Sequence, residues 1–263
     1  MFQFQSSQPE YENRAIDVLE SLWGYGHLAP GEPQEVDRIV SNLDFDGANV
    51  LDVGCGTGGV TVHLANTYPL SRITGYDVEA SVLEQAKRNF ALERLGDRLS
   101  FVLGRRGRLP FENGEFDIVF SKDALFHVVD KERLFADIHR ITRPGGYFAA
   151  SDWLTSCDDE PSNEMSDFLQ VQDLSLRMAS AARYKSAMRA AGFVHVRSVN
   201  RNAWYREMAR TELVRRKGPL YKATCASLGK ENADMNIRTW EAMQVVLDSG
   251  ELCPTHLFAL KPE

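Results

Sequence analysis

The run Val50-Leu51-Asp52-Val53-Gly54-Cys55-Gly56-Thr57-Gly58-Gly59 constrains this chain more than any other stretch. A short apolar strand enters a glycine-packed turn, and an amphipathic segment, Val60 to Thr67, follows at once. Without a Cβ, the turn can adopt positive φ and bring backbone against a ligand at a helix N-terminus. A second apolar run from Arg72 to Tyr76 ends at Asp77, where an acid accepts both hydroxyls of a ribose. Strand, glycine turn, helix, strand and acid together imply a site for an adenosine-containing cofactor.

The surrounding pattern gives that unit a fold. Val36, Ile39, Val40 and Leu43 form a helical stripe, as do Val82, Leu83, Ala86 and Phe90. Strands are expected at Asn49–Val53, Arg72–Tyr76, Leu99–Leu103, Phe116–Phe120 and Tyr147–Ala150. The helix carrying Leu134, Phe135, Ile138 and Ile141 stops before the breaker Pro144-Gly145-Gly146. Alternation of this kind predicts an α/β, doubly wound, mostly parallel sheet with helices on both faces. Residues 157–175 read as acidic and polar, Arg183–Ala191 as a helix, and Phe193–Val199 as a strand. About fifty residues rich in Trp, Tyr, Arg and Glu then precede a last strand, His256–Leu260; so long a connection carries its own helices. The expected organisation is an N-terminal lid segment over 1–35, a cofactor-binding core over 36–156, and a C-terminal part over 157–263 with the last two strands and a helical substrate cap, within one globular unit.

Charge and cysteine usage narrow the partners. A net charge of −7 over 263 residues, with only short basic clusters, argues against a nucleic-acid backbone. Cys55, Cys157, Cys225 and Cys253 are scattered, with no CxxC, so neither a metal site nor a disulfide framework is expected. No apolar run nears the ~20 residues of a membrane span, and the first residues have neither a basic start nor an apolar core. The expected setting is cytoplasmic, as a monomer or homodimer acting on a small molecule.

Two cofactors compete at the turn. A dinucleotide site wants G-x-G-x-x-G, whereas Gly54, Gly56, Gly58 and Gly59 are spaced G-x-G-x-G-G, with Asp52 just before them. A cofactor with no pyrophosphate but an amino-acid tail suits this better: Asp52 can engage an ammonium, and loop amides a carboxylate or ribose. In order along the chain, Val50–Gly59, Asp77, Leu109-Pro110-Phe111, Phe116–Ser121 and Arg143-Pro144-Gly145-Gly146 resemble the class I S-adenosylmethionine-dependent methyltransferases over roughly residues 36–200. The resemblance implies a seven-stranded Rossmann-like sheet with an antiparallel last strand, S-adenosyl-L-methionine as donor and S-adenosyl-L-homocysteine as product. It also implies Gly54 and Gly56 against the methionine portion, Asp77 on the ribose and Val78 beside the adenine, and Gly58 belongs to the expected cofactor set. Ser121, Lys122 and Tyr25 complete the expected cofactor set. One departure concerns the loop after strand three, where that family carries an acid for the adenine; here it reads Leu103-Gly104-Arg105-Arg106-Gly107-Arg108, and backbone groups of Arg105 or Arg106 take its place.

Leu22-Trp23-Gly24-Tyr25-Gly26-His27, the stretch Phe120–His127 and the tail from Tyr184 to Leu260 are similar to the small-amine N-methyltransferases, of phosphoethanolamine and sarcosine/dimethylglycine type. At places where the phosphoethanolamine enzymes hold phosphate, this chain offers His27, Trp153, Gln172 and Leu174, poor partners for a dianion. The sarcosine/dimethylglycine type is therefore the nearer. An attacking amine must be neutral, so a proton exit is needed. Asp123 and His127, just past strand four and on one face if helical, are the catalytic candidates. Tyr11, Trp23, His27, Trp153, Arg177, Arg201 and Trp204 are the candidate acceptor contacts, the aromatics as a cation cage and the arginines as carboxylate forks. The alternatives are an O-, S- or C-methyltransferase of a secondary metabolite, and a non-catalytic cofactor-binding partner protein.

Overall fold

The computed structural model describes residues 16, 20, 26–28, 33–90, 95–172 and 176–263. Tyr11, Trp23 and Tyr25 lie outside the described residues, as does Leu174. The chain runs α1 (Pro33–Val40), β1 (Asn49–Val53), α2 (Gly59–Thr67), β2 (Arg72–Asp77), α3 (Ala80–Phe90), β3 (Leu99–Leu103) and β4 (Phe116–Lys122). There follow α4 (Lys131–Ile141), β5 (Thr142–Thr155), α5 (Asn163–Gln172), α6 (Ala181–Ala190) and β6 (Val194–Asn200). Then come α7 (Asn202–Lys217), α8 (Tyr221–Leu228), α9 (Lys230–Asp248) and β7 (Leu252–Leu260). Seven strands form one sheet in the order β3-β2-β1-β4-β5-β7-β6. β1 through β5 pair in parallel, and β7 runs antiparallel to both β5 and β6. The expected fold class is the observed one.

Successive strand residues face opposite sides. Leu51, Val119 and Phe148 therefore pack with Phe135 and Ile138 of α4 and Tyr184 and Met188 of α6. Their neighbours Val50, Ile118 and Ala149 pack with Val36 and Ile39 of α1 and Val62 and Leu64 of α2. Covering both faces is why the central strands read as unbroken apolar runs. A third cluster joins Phe126 and Trp153 to Met165 and Phe168 of α5, Tyr205 of α7, and Trp240 and Met243 of α9. This helical layer lies over the carboxyl edge of the sheet.

Two expectations need correction, and a third stretch holds a helix that its composition did not announce. β5 is longer than Tyr147–Ala150 because β7 pairs along it from Tyr147↔Leu260 to Thr155↔Leu252. Trp153 thus lies inside the strand, opposite Pro254, rather than after it. The Pro144-Gly145-Gly146 run ends α4 but makes a bulge, not a break: Phe116 pairs with Thr142, and Ile118 already with Tyr147. The acidic stretch 157–175 contains α5, whose Met165 and Phe168 are fully buried. Among the described residues no helix is long and apolar enough to cross a membrane.

Candidate active site

The strand order reverses between β1 and β4, and ligands of open α/β sheets bind outside the carboxyl ends at such a point. A cavity of about 830 Å³ opens there, walled by the turns after β1, β2, β3 and β4, by Gly26, His27 and Leu28, and by one face of α9. Gly54 has φ 75°, and a Cβ on it would stand 2.2 Å from the Ala124 Cβ. Only glycine lets the two turns meet so closely. Gly59 N–H donates to the Gly26 carbonyl at 2.9 Å, fastening the N-terminal segment to the start of α2.

At one end of the cavity stand two carboxylates. Asp52, 1% exposed, accepts from Thr61 Oγ1 at 2.7 Å. Burial pushes its carboxyl up to about 7, against the Thr61 hydrogen bond, with nearby Asp77 adding to the rise. A cation placed beside Asp52 would restore its charge. Asp77 accepts the Gly56 amide on Oδ2 and the Glu79 amide on Oδ1, both at 2.9 Å. Burial raises its carboxyl, and these amides oppose the rise. Each oxygen still has acceptor capacity for a diol. Thr57 Oγ1, also on the wall, is buried with no partner among the described residues. A carboxylate for an ammonium and a carboxylate for vicinal hydroxyls fit S-adenosylmethionine, whereas the expected role of the loop amides needs correction: those of Gly54, Cys55, Gly56, Gly58 and Gly59 already donate within the protein.

Just past β4, Asp123 sits at φ 52° with its side chain 2% exposed. Lys122 Nζ lies 2.7 Å from its Oδ2, and Ser151 Oγ donates to its Oδ1 at 3.0 Å. The segment that follows is a single 3-10 turn, Leu125–His127, so Asp123 and His127 do not share a helix face as expected. Both nevertheless line the cavity. Phe126 meets His127 at a tilt of 41° with ring centroids 4.3 Å apart and lies 6.2 Å from Trp153. Burial, with Lys122 and His63 nearby, lowers the His27 imidazole to about 4, so it meets the cavity as a neutral ring at neutral pH.

The cavity brings together Asp52, Gly54, Gly56, Asp77, Val78, Arg105, Arg106, Lys122, Asp123, His127, His27 and Trp153. Five expected residues are absent from its wall. Ser121 is buried and donates through Oγ to the Val53 carbonyl at 2.7 Å, bracing β4 against β1. Gly58 turns at φ 87° against the Phe101 ring. Arg177 is exposed. Arg201 forks onto the buried Glu35, with Nε 3.0 Å from Oε2 and an Nη 2.7 Å from Oε1. Trp204 packs edge-on to Tyr205 in the helical layer. In the loop after β3, the Arg105 carbonyl accepts from Tyr76 Oη at 3.1 Å, and Arg106 pairs with Glu79 at 3.1 Å. Sequence reading missed Asn236, Thr239, Trp240 and Met243 of α9, whose helical spacing is also that of an ordinary core stripe.

Residues 51–150 match the family model described as a methyltransferase domain. The chain carries a methyltransferase domain of this family. That family uses S-adenosylmethionine as its methyl donor. The chain is 26% identical over 237 residues to phosphoethanolamine N-methyltransferase 1 of Arabidopsis thaliana, covering 89% of this chain and 46% of that protein. It is 30% identical over 198 residues to a sterol 24-C-methyltransferase of Aspergillus fumigatus, covering 70% and 52%. Its fold superposes with a TM-score of 0.88, at 21% identity, on Haemonchus contortus phosphoethanolamine N-methyltransferase 2 bound to phosphomonomethylethanolamine and S-adenosylhomocysteine. That match covers 97% of this chain and 59% of the other. The chain spans about half the length of the curated relatives it matches.

Proposed function

We propose that this methyltransferase transfers the methyl group to the nitrogen of a small amine bearing an anionic tail, of the sarcosine or dimethylglycine kind. S-adenosylmethionine, when bound, supplies an electrophilic methyl carbon on a sulfonium. The observation that carries the reading is the set of groups around the Gly54–Ala124 contact. The same cavity wall carries a buried carboxylate, Asp123, an imidazole, His127, and the aromatic rings of Phe126, Trp153 and Trp240. Aromatic faces attract an ammonium. Asp123 orients the amine, and His127 takes up the proton that the nitrogen must lose before it attacks. In the proposed cofactor half, Asp52 holds the amino-acid ammonium, Asp77 the ribose hydroxyls and Val78 the adenine face. The rest of the rate comes from alignment and exclusion of water by the helical layer.

The tail is read as a carboxylate rather than a phosphate. At the positions read as phosphate-facing, His27 is neutral and Trp153 and Gln172 carry no charge, so a dianion would meet little compensating charge from them. The Arabidopsis relative's name makes phosphoethanolamine the necessary comparison. A second reading, methylation at carbon of a larger apolar acceptor, is favoured by the apolar Leu125, Val128, Leu176 and Met243 in the wall and by the Aspergillus relative. Steady-state turnover with glycine, sarcosine, dimethylglycine, phosphoethanolamine and a sterol separates these. The proposal predicts the highest kcat/KM on a carboxylated amine. Preference for the phosphorylated amine would overturn the tail, and turnover of the sterol alone would overturn the nitrogen.

A further inference from the structure

Behind the segment that carries Asp123 and His127 lies a buried polar cluster outside the cavity wall. Lys131 is 0% exposed although it occupies the first position of α4. A cation there is disfavoured both by burial and by the positive end of the helix dipole. An apolar residue would fill the same space at less cost, so packing alone does not account for it. What the ammonium supplies is two hydrogen bonds: Nζ donates to the Leu125 carbonyl at 2.8 Å and to the Val128 carbonyl at 2.6 Å. These carbonyls bracket Phe126 and His127. The Lys131 ammonium also lies 5.0 Å from the centre of the Tyr184 ring. Tyr184 Oη donates to Asp152 Oδ2 at 2.5 Å, and burial pushes the carboxyl of Asp152, 0% exposed on β5, up to about 7 against the nearby Lys131 charge.

We propose that Lys131 is a positioning residue for methyl transfer: by clamping the Leu125 and Val128 carbonyls, with Asp152 and Tyr184 behind it, it fixes the 3-10 turn that presents Phe126 and His127 to the acceptor. The proposal rests on the amine-methylation reading for its kinetic consequence, but not for its structural one. Lys131→Met removes both hydrogen bonds and leaves the Asp152 carboxyl buried without its cation. Lys131→Met/Asp152→Asn removes the bonds and the stranded carboxyl together, and it supplies the comparison should the single variant not fold. Three readouts apply to each: thermal unfolding, S-adenosylhomocysteine affinity by calorimetry, and the His127 imidazole NMR resonance assigned with His127→Gln.

In the double variant the clamp predicts near-normal unfolding, unchanged affinity for S-adenosylhomocysteine, a shifted or broadened His127 resonance, and a fall in kcat of about 100-fold with KM little changed. A double variant with the wild-type His127 resonance and kcat would overturn it, leaving the pair as a structural element only. If the wild-type protein methylates no amine, the amine reading fails by itself, and the resonance still decides the clamp.

Discussion

Single residues set the chemistry here through burial more than through identity. Asp52 and Asp77 are both carboxylates at strand ends, yet one receives a side-chain hydroxyl and the other two backbone amides. That difference suits the first to a cation and the second to a pair of hydroxyls. Asp77→Ala is expected to weaken S-adenosylmethionine binding by about 1–3 kcal/mol; isothermal calorimetry reads it directly, and undiminished affinity would remove Asp77 from the proposed ribose contact. Gly54→Ala acts differently. Its Cβ would collide with that of Ala124 at a φ reserved for glycine, so loss of cofactor binding should come with a lower unfolding temperature. Asp52 and Asp77 were legible in the sequence because each is tied to a strand end and a glycine turn, which are local signals. The sharing of a site by Asp123 and His127 was legible too, but the expected helix between them was not. A left-handed residue followed by one 3-10 turn leaves no periodic trace.

Among the elements, α1, β7 and the start of α7 are joined by one buried carboxylate. Burial by itself would raise the Glu35 carboxyl, but the His256 ring 3.2 Å away and the hydrogen bonds from Arg201 outweigh it and hold the group at about 2, from an ordinary 4.5. A depressed carboxyl contributes stability that is fully present above its unfolded value and is lost as pH falls through the folded one. Wild-type protein should therefore lose on the order of 3 kcal/mol between about pH 4.5 and pH 2 that Glu35→Gln does not; denaturant unfolding of both across that range shows it as a difference in slope. Helices α8 and α9 make a second contrast. α9 buries Ala233, Trp240, Met243, Val246 and Leu247, whereas α8 buries no residue fully. Amide exchange should be markedly faster over Tyr221–Leu228 than over Lys230–Asp248. The sequence foretold helices in this stretch from the length of the connection. It did not reveal that α9 forms a cavity wall, because an apolar stripe has the same spacing whether it faces core or ligand. Arg201, a fork for a ligand carboxylate by its residue type, found Glu35 instead, a partner 166 positions away that no local pattern announces.

For the whole molecule, the sheet edge and the helical layer enclose one continuous cavity, with the proposed donor half built by β1 and β2 and the acceptor half by β4, β5 and α9. Binding at such a site stabilises the folded state by mass action. S-adenosylhomocysteine at a hundred times its Kd is expected to add about 2.7 kcal/mol and raise Tm by roughly 5–10 °C. The doubly wound sheet was readable from alternation and its antiparallel last strand from the family resemblance, whereas the depth and lining of the acceptor chamber depend on contacts between segments far apart in the chain. The nature of the acceptor atom is the point on which the proposal stands. Incubation with donor labelled with carbon-13 at the transferred methyl, followed by carbon NMR of the product from a mixture of small amines, tests it most directly. The account predicts the label in an N-methyl environment on a carboxylated amine; label on carbon or oxygen, or none on any amine while an apolar acceptor is methylated, would contradict it.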